Sequence, residues 1–334
     1  MSGIVSWITL SFMGVKAQDP HFSQFYAASL SVNPAFTGTE SYEGRFTLNY
    51  RSQWPKLSGE FVTYQVNYDH QLFPSRNSLG FYANLDQAGS AGIRSVNLNV
   101  LYAYTLPLSE LLTVKAGMQL GYGNRNLDYY KLVFGDQLSN FGATGSPSAE
   151  PNQGSRSISY IDVGVGFLAY TKNFWLGISG HHLNQPNQSL GEIPEKLPVR
   201  WSIHTGYKFA FYRPGENRNK DYSMALNPAI YYSQQGAFKQ LDAGANFYID
   251  PIILGVWYRG LPIQKSVEGA LVGSFGFKYK SFKFVYGYDM PLGKFAAVTG
   301  GAHEFSIFVF VGDEIKSIKS RRRSRFPAFP SLMH

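Results

Sequence analysis

Two adjacent pairs of side chains, His181-His182 and His303-Glu304, are the places in this chain where residue type and spacing invite chemistry. Neighbouring histidines suggest a metal ion, and a histidine beside a glutamate suggests an acid-base dyad. Both meet the same geometric objection. Consecutive side chains of a β-strand point to opposite faces, so neither pair converges on one atom without a bulge. Asp162, Asp242, Asp289 and His204 are available for a hydrolytic pair at a barrel rim, yet no spacing singles one out. The sequence therefore predicts no catalytic residue, no cofactor and no metal ligand, and these groups are expected as hydrogen-bonding side chains of a polar interior. A hydrolase using His182, His204 and His303 is the weakest functional reading.

The elements that would carry these residues are strands. Val62, Tyr64, Val66 and Tyr68 alternate with Thr63, Gln65, Asn67 and Asp69, and Leu98, Val100, Tyr102 and Tyr104 do the same against Asn97 and Asn99. Val114, Ala116, Met118, Leu120 and Tyr122 form a third apolar row, with small or polar residues between them. From residue 45 onward this unit of about 10 residues recurs, separated by turn residues, as in transmembrane β-strands. Fourteen such segments run from 45–54 to 302–312, including 111–123, 157–171, 174–183 and 199–211. The fold class expected is all-β, a transmembrane antiparallel barrel of about 14 strands. Tyr50, Trp54, Tyr170, Trp175, Trp201, Trp257 and Tyr258 stand at strand ends, where aromatic girdles are expected. The Gly, Ser, Pro and Asn-rich stretches 124–156 and 184–197 read as extracellular loops, with both termini periplasmic.

Composition agrees. Aromatic residues make up 16% of the 334, with 23 Tyr and 26 Phe, while charged residues reach only 16%, below the roughly 25% of soluble domains. No stretch approaches the roughly 18 apolar residues of a membrane helix, so any span must be made of strands. Residues 3–15 form an apolar run of signal-peptide length before Val15-Lys16-Ala17, which predicts a leader over 1–17 and a mature start at Gln18. No Lys or Arg precedes Lys16, so the leader lacks a basic start. With no cysteine, neither a disulfide framework nor a lipid-anchoring thiol is available.

The net charge of +8 invites a nucleic-acid reading, but Lys316, Lys319, Arg321, Arg322, Arg323 and Arg325 supply most of it, in a stretch with no acidic residue after Glu314. The domains expected are the leader, an N-terminal periplasmic or plug segment at 18–40, the barrel at 41–313 and a basic periplasmic tail at 314–334. The tail can bury nothing and is expected to be disordered.

Two segments break the strand pattern, that tail and residues 19–39, where Phe22, Phe25, Tyr26 and Leu30 recur at helical spacing before the turn Asn33-Pro34-Ala35. The latter is expected to plug the periplasmic mouth. Its sequence carries a resemblance. Asp19-Pro20-His21-Phe22-Ser23-Gln24-Phe25-Tyr26 and Asn33-Pro34-Ala35-Phe36-Thr37-Gly38 resemble the mature start of PorP/SprF family proteins. His181-His182-Leu183-Asn184-Gln185-Pro186, Lys196-Leu197-Pro198-Val199-Arg200, Leu254-Gly255-Val256-Trp257-Tyr258-Arg259-Gly260, Tyr286-Gly287-Tyr288-Asp289 and Gly300-Gly301-Ala302-His303-Glu304 extend it along nearly the whole chain. Gly287 stands where members often carry Ser, and the tail lacks a Cys found in some.

The resemblance implies an outer-membrane component of the type IX protein secretion and gliding machinery. Members join its periplasmic ring or help export and attach a secreted adhesin through the adhesin's C-terminal domain. Partners implied are that cargo domain, periplasmic secretion subunits and outer-membrane lipid, with no nucleic acid. Phe22, Phe25 and Tyr26 in the plug, Asn184 and Gln185 in the loop, and Lys319, Arg321, Arg322 and Arg323 in the tail are the candidate partner-binding residues. The amides of Asn184 and Gln185 can recognise exposed peptide backbone. The tail can pair with acidic partners or with anionic lipid, at about 1 kcal/mol per basic residue near the surface. The alternative is an outer-membrane diffusion channel or hydrophobic-solute transporter, suggested by the many Gly, Asn and Gln residues available to line a lumen.

Overall fold

Alternation with a period of two puts one residue set on each face of a sheet, and closing the sheet turns those faces into an inside and an outside. The computed structural model describes residues 19–314, apart from 41, 58, 90–91, 129–131, 140–141, 147, 150–154, 192, 213–222, 262–268 and 294–295. Fourteen antiparallel strands close into a barrel: β1 (Tyr42–Gln53), β2 (Phe61–Gln71), β3 (Asn77–Ala88), β4 (Ile93–Pro107), β5 (Thr113–Asp128), β6 (Ser155–Tyr170), β7 (Phe174–His181), β8 (Arg200–Tyr207, continued by Phe209–Tyr212), β9 (Ser223–Gln235), β10 (Phe238–Ile249), β11 (Ile252–Arg259), β12 (Ala270–Tyr279), β13 (Phe282–Pro291) and β14 (Ala302–Glu314). Each pairs with its neighbours in sequence, and β1 closes on β14 from Tyr42↔Glu314 to Gln53↔Ala302. The fourteen segments expected from alternation correspond to these strands one for one. The last strand ends at Glu314, one residue beyond the expected barrel boundary.

The faces sort as the pattern requires. Thr63, Gln65, Asn67 and Asp69 are buried inside, whereas Tyr64 and Tyr68 face outward, as do Val100, Leu120, Ile161 and Val256. An apolar face this exposed needs lipid rather than water around it. No helix among the described residues is long and apolar enough to cross a membrane.

Two expectations need correction. Tyr170, Trp175 and Trp257 do not belong to an outer girdle; all three are buried on the inner face, the two tryptophans only 1% and 2% exposed. Both tryptophan rings pack against the segment that fills the lumen. The expected loop at 124–156 also loses its ends to strands, because the β5–β6 ladder continues up to Asp128↔Ser155.

Strand lengths are unequal. β4, β5 and β6 have 15, 16 and 16 residues, against 8 for β7 and 8 for β11. The surplus lies at the end carrying connections 129–154, 182–199 and 292–301, called here the long-loop end. The opposite, terminal end holds the start of β1, the end of β14 and the connections 72–76, 108–112, 171–173, 250–251 and 280–281.

Candidate functional site

Residues 19–40 enter at the long-loop end beside Gln235, the last residue of β9, and reach β1 at the terminal end, so the segment crosses the whole lumen. It is a plug of the interior rather than of one mouth. Its apolar spacing suggested a helix, but only Ser29–Val32 and a 3-10 turn at Pro34–Phe36 are helical. A helix needs one partnered face. This segment is surrounded by wall, and from Phe22 to Thr39 every residue except Ser31 is buried.

The first stretch, 19–24, is held by charge. The Asp19 carboxylate lies 2.7 Å from His182 Nε2 and 3.1 Å from Arg200 Nη1, while its N–H donates to Gln235 Oε1 at 3.2 Å. His21 meets Asp242 at 2.9 Å and stacks on Tyr231. The N–H groups of Ser23 and Gln24 donate to the two oxygens of Glu304, at 2.6 and 2.9 Å. Arg51 of β1 bonds that same carboxylate, and also Asp289 at 3.1 Å. The Ser23 hydroxyl donates to Asp289, and Arg259 links Asp289 (3.1 Å) to Asp242 (3.2 Å). Three wall carboxylates are thus shared between two arginines and donors of the plug. Buried charges require such partners, because desolvation costs several kcal/mol per ion.

The middle is aromatic. Phe25 stacks on Tyr231 (ring centroids 5.3 Å apart) and meets Trp257 edge-on at 5.3 Å; Tyr26 covers the other part of Trp257. Phe36 lies flat on His204 at 4.9 Å, with Trp175 at its edge.

The last stretch, 29–39, is held by close backbone approach. Asn33 caps the Pro34–Phe36 turn by accepting the Ala35 N–H at 2.8 Å, and its Nδ2 reaches the carbonyls of Phe167 and Ile178, each at 3.1 Å, and His204 Nε2 at 3.0 Å. It fits there because Gly166 is bare: a Cβ at 166 would overlap the Asn33 side chain, and one at Gly117 would overlap the backbone of Pro34 and Ala35. Ser179 Oγ donates to the Val32 carbonyl at 2.6 Å, and Arg200 Nη2 to that of Ser31 at 2.8 Å. At the terminal end Asp69 accepts the Gly38 N–H at 2.7 Å and the Arg45 Nε at 2.9 Å, and Lys115 donates to the Gly38 carbonyl at 3.0 Å. Beside the plug lie cavities of about 10 and 50 Å³, room for a few waters.

The sequence candidates fall unequally. Phe22, Phe25 and Tyr26 are all inside, turned toward the wall. Asn184 and Gln185 are exposed at the long-loop end. Lys319, Arg321, Arg322 and Arg323 lie outside the described residues. His181 and His182 do not point to opposite faces: His182 adopts a positive φ of 57°, which ends β7 and turns both rings inward. His181 then meets the Val32 carbonyl at 3.1 Å, and His182 bridges Asp162 (2.9 Å) and Asp19. Burial opposes the charge on His182, but the Asp19 and Asp162 carboxylates outweigh it and raise its pKa to about 9. Burial likewise disfavours ionised Asp19, yet His182 and Arg200 hold its carboxyl well below the usual range. The group is a latch for the plug, and among the described residues no three His, Asp or Glu side chains are arranged to hold a metal ion. Sequence reasoning missed Arg51, Glu304, Arg45 and Asp69 as plug holders. Their signal was there, since each is a charged residue on the inward row of a strand.

A fourteen-stranded barrel with an apolar exterior, its lumen occupied by residues 19–40, defines an outer-membrane β-barrel protein. Among solved structures the chain is similar to the P. putida toluene transporter TodX (12% identity, 86% of this chain and 94% of that one, TM-score 0.50) and the Ralstonia pickettii toluene transporter TbuX (12%, 84% and 91%, TM-score 0.46). At this identity the likeness extends to the fold alone. No curated protein sequence matches the chain significantly. The family model described as type IX secretion system membrane protein PorP/SprF matches residues 14–309, and the chain belongs to that family.

Proposed function

We propose that this protein is a non-enzymatic, plugged outer-membrane component of the type IX secretion and gliding machinery. It binds the C-terminal domain of a secreted cargo such as an adhesin, periplasmic ring subunits, or both, to support export and surface attachment. Family membership supports the machinery, and the observation that carries the non-channel role is the filled lumen. Residues 19–39 touch most of the wall, and this filling favours a closed lumen over a solute route. Of the histidines considered for chemistry, His181, His182 and His204 are engaged with the plug, and His303 is bonded to Tyr286. The two longest connections, 129–154 and 182–199, lie at the long-loop end, which supports an extracellular position for that end and a periplasmic one for the start of β1 and the end of β14, with Asp19, the first described residue, on the extracellular side. Affinity isolation of the full chain from solubilised membranes should recover secretion components; recovering the barrel alone would overturn the reading. The channel alternative predicts steady conductance in planar bilayers, whereas the plugged barrel should be silent.

A further inference from the structure

The tall wall of the barrel ends in an unpaired strand edge. β6 pairs with β7 only from Val165↔Gly180 to Tyr170↔Trp175, so residues 155–164 stand beyond the last rung, joined to β5 alone. Just past that rung the Leu183 N–H donates to the Val163 carbonyl at 3.0 Å. There the Asn184 side chain acts as a strand residue would: Oδ1 accepts the Val163 N–H at 3.2 Å and Nδ2 donates to the Ile161 carbonyl at 2.7 Å. Residues spaced by two present their backbone groups to the same side. The next two in that row are Ser159 and Ser157, and among the described residues nothing bonds their N–H or C=O groups on that side.

Natural proteins usually blunt such an edge with Lys, Pro or a covering loop. Here the outward row is Ser157 and Ser159, both exposed, and their hydroxyls already accept from Asn124 Nδ2 at 3.0 and 2.9 Å. Arg156 points instead to the lumen side, where it donates to the Leu190 carbonyl at 3.1 Å, so this part of connection 182–199 lies over the mouth. Immediately below, Ile161 and Leu120 are exposed apolar residues of the lipid belt. The edge therefore stands just outside the membrane.

We propose that the β6 edge at 157–159 receives an extended segment of a secreted polypeptide by strand addition. This rests on the secretion reading above. A row of alternating donors and acceptors repeating every second residue is complementary to another β backbone. The Asn184 amide already fills one rung of it. On the outward face the side chains beside the rungs, Ser157 and Ser159, are small and uncharged, so recognition there runs through the main chain and tolerates varied sequences.

The test uses the full chain in lipid nanodiscs, with a synthetic peptide of alternating threonine and valine as probe. The same peptide methylated on alternate backbone nitrogens is the control. Amide exchange at Ser157 and Ser159 should slow at least tenfold with the probe and stay unchanged with the methylated form. Ser157→Pro with Ser159→Pro removes only donors that face the free side, which an edge strand tolerates, and should abolish binding. Ser157→Ala with Ser159→Ala should retain it. Absence of protection, or binding that survives the proline pair, overturns the proposal. Protection without peptide in a dimer that the proline pair dissolves would assign the edge to a second copy and overturn the occupant. A barrel that isolates secretion components yet ignores the peptide leaves the secretion reading standing and removes this one.

Discussion

The two halves of the plug are fastened by different physics. Residues 19–24 are held by ionised wall residues, chiefly Glu304, Asp289, Arg51 and the His182–Asp19 pair. Residues 29–39 are held by close fit against bare backbone at Gly117 and Gly166 and by hydrogen bonds around Asn33 and Ser179, with charged residues reaching only the ends of the stretch, among them Arg200 at Ser31 and Asp69 and Lys115 at Gly38. Charge holds at a distance and responds to pH, whereas steric fit is insensitive to pH and fails when one methyl group is added. The half at the long-loop end is thus the more adjustable by its surroundings.

The largest expected effect tests the charged half. Glu304→Ala takes from Arg51 one of its two carboxylates and leaves two plug N–H groups without their acceptor, and breaking a buried pair costs about 3–5 kcal/mol. Amide exchange should accelerate at Ser23 and Gln24 while Phe36 to Thr39 stay protected. Next, Gly117→Val or Gly166→Val overpacks the seat, at about 1–3 kcal/mol each, and should release 33–39 first. If either variant opens the entire segment at once, the halves form one cooperative unit and the contrast fails.

A smaller effect is expected from pH. A histidine whose pKa is raised from 6.5 to about 9 contributes fully below the lower value and loses that contribution as pH climbs through the upper one. Protection of the amides at residues 19–22, taken relative to the intrinsic base-catalysed exchange rate, should therefore fall between pH 7 and 10, by an amount bounded at about 3 kcal/mol. Asp19, held low, keeps its share down through its ordinary range and loses it only in stronger acid. His182→Asn should flatten the alkaline response. Smallest is Tyr26→Phe, which removes a contact of 3.4 Å to Ser274 and should cost about 0.5 kcal/mol by thermal denaturation.

Much of the barrel was legible in sequence, because a period of two reports directly which residues share a face. Thr63 to Asp69 and Tyr64 to Tyr68 fell as the alternation required. Trp175 and Trp257 were misplaced because an aromatic near a strand end looks the same whether it faces lipid or a plug; only the partner ring distinguishes them. The His181-His182 objection failed for a local reason, a single residue with positive φ that no pattern announces. The plug was recognised as off-pattern, but its path was not, since its shape is imposed by wall residues spread along the chain from Arg45 of β1 to Glu304 of β14. Gly117 and Gly166 were visible as small residues in a strand, yet nothing in the sequence tells which glycine lies under a loop.

The uneven strand lengths have a consequence for encounter. A protein held upright by its lipid belt cannot tumble, so a partner embedded in the same membrane has only rotation about the membrane normal left to search. On a level rim every angle would look alike. The high sector formed by β4, β5 and β6, dropping abruptly at β7, gives this barrel a front, and a one-angle search is shorter than the full orientational search of two molecules free in solution.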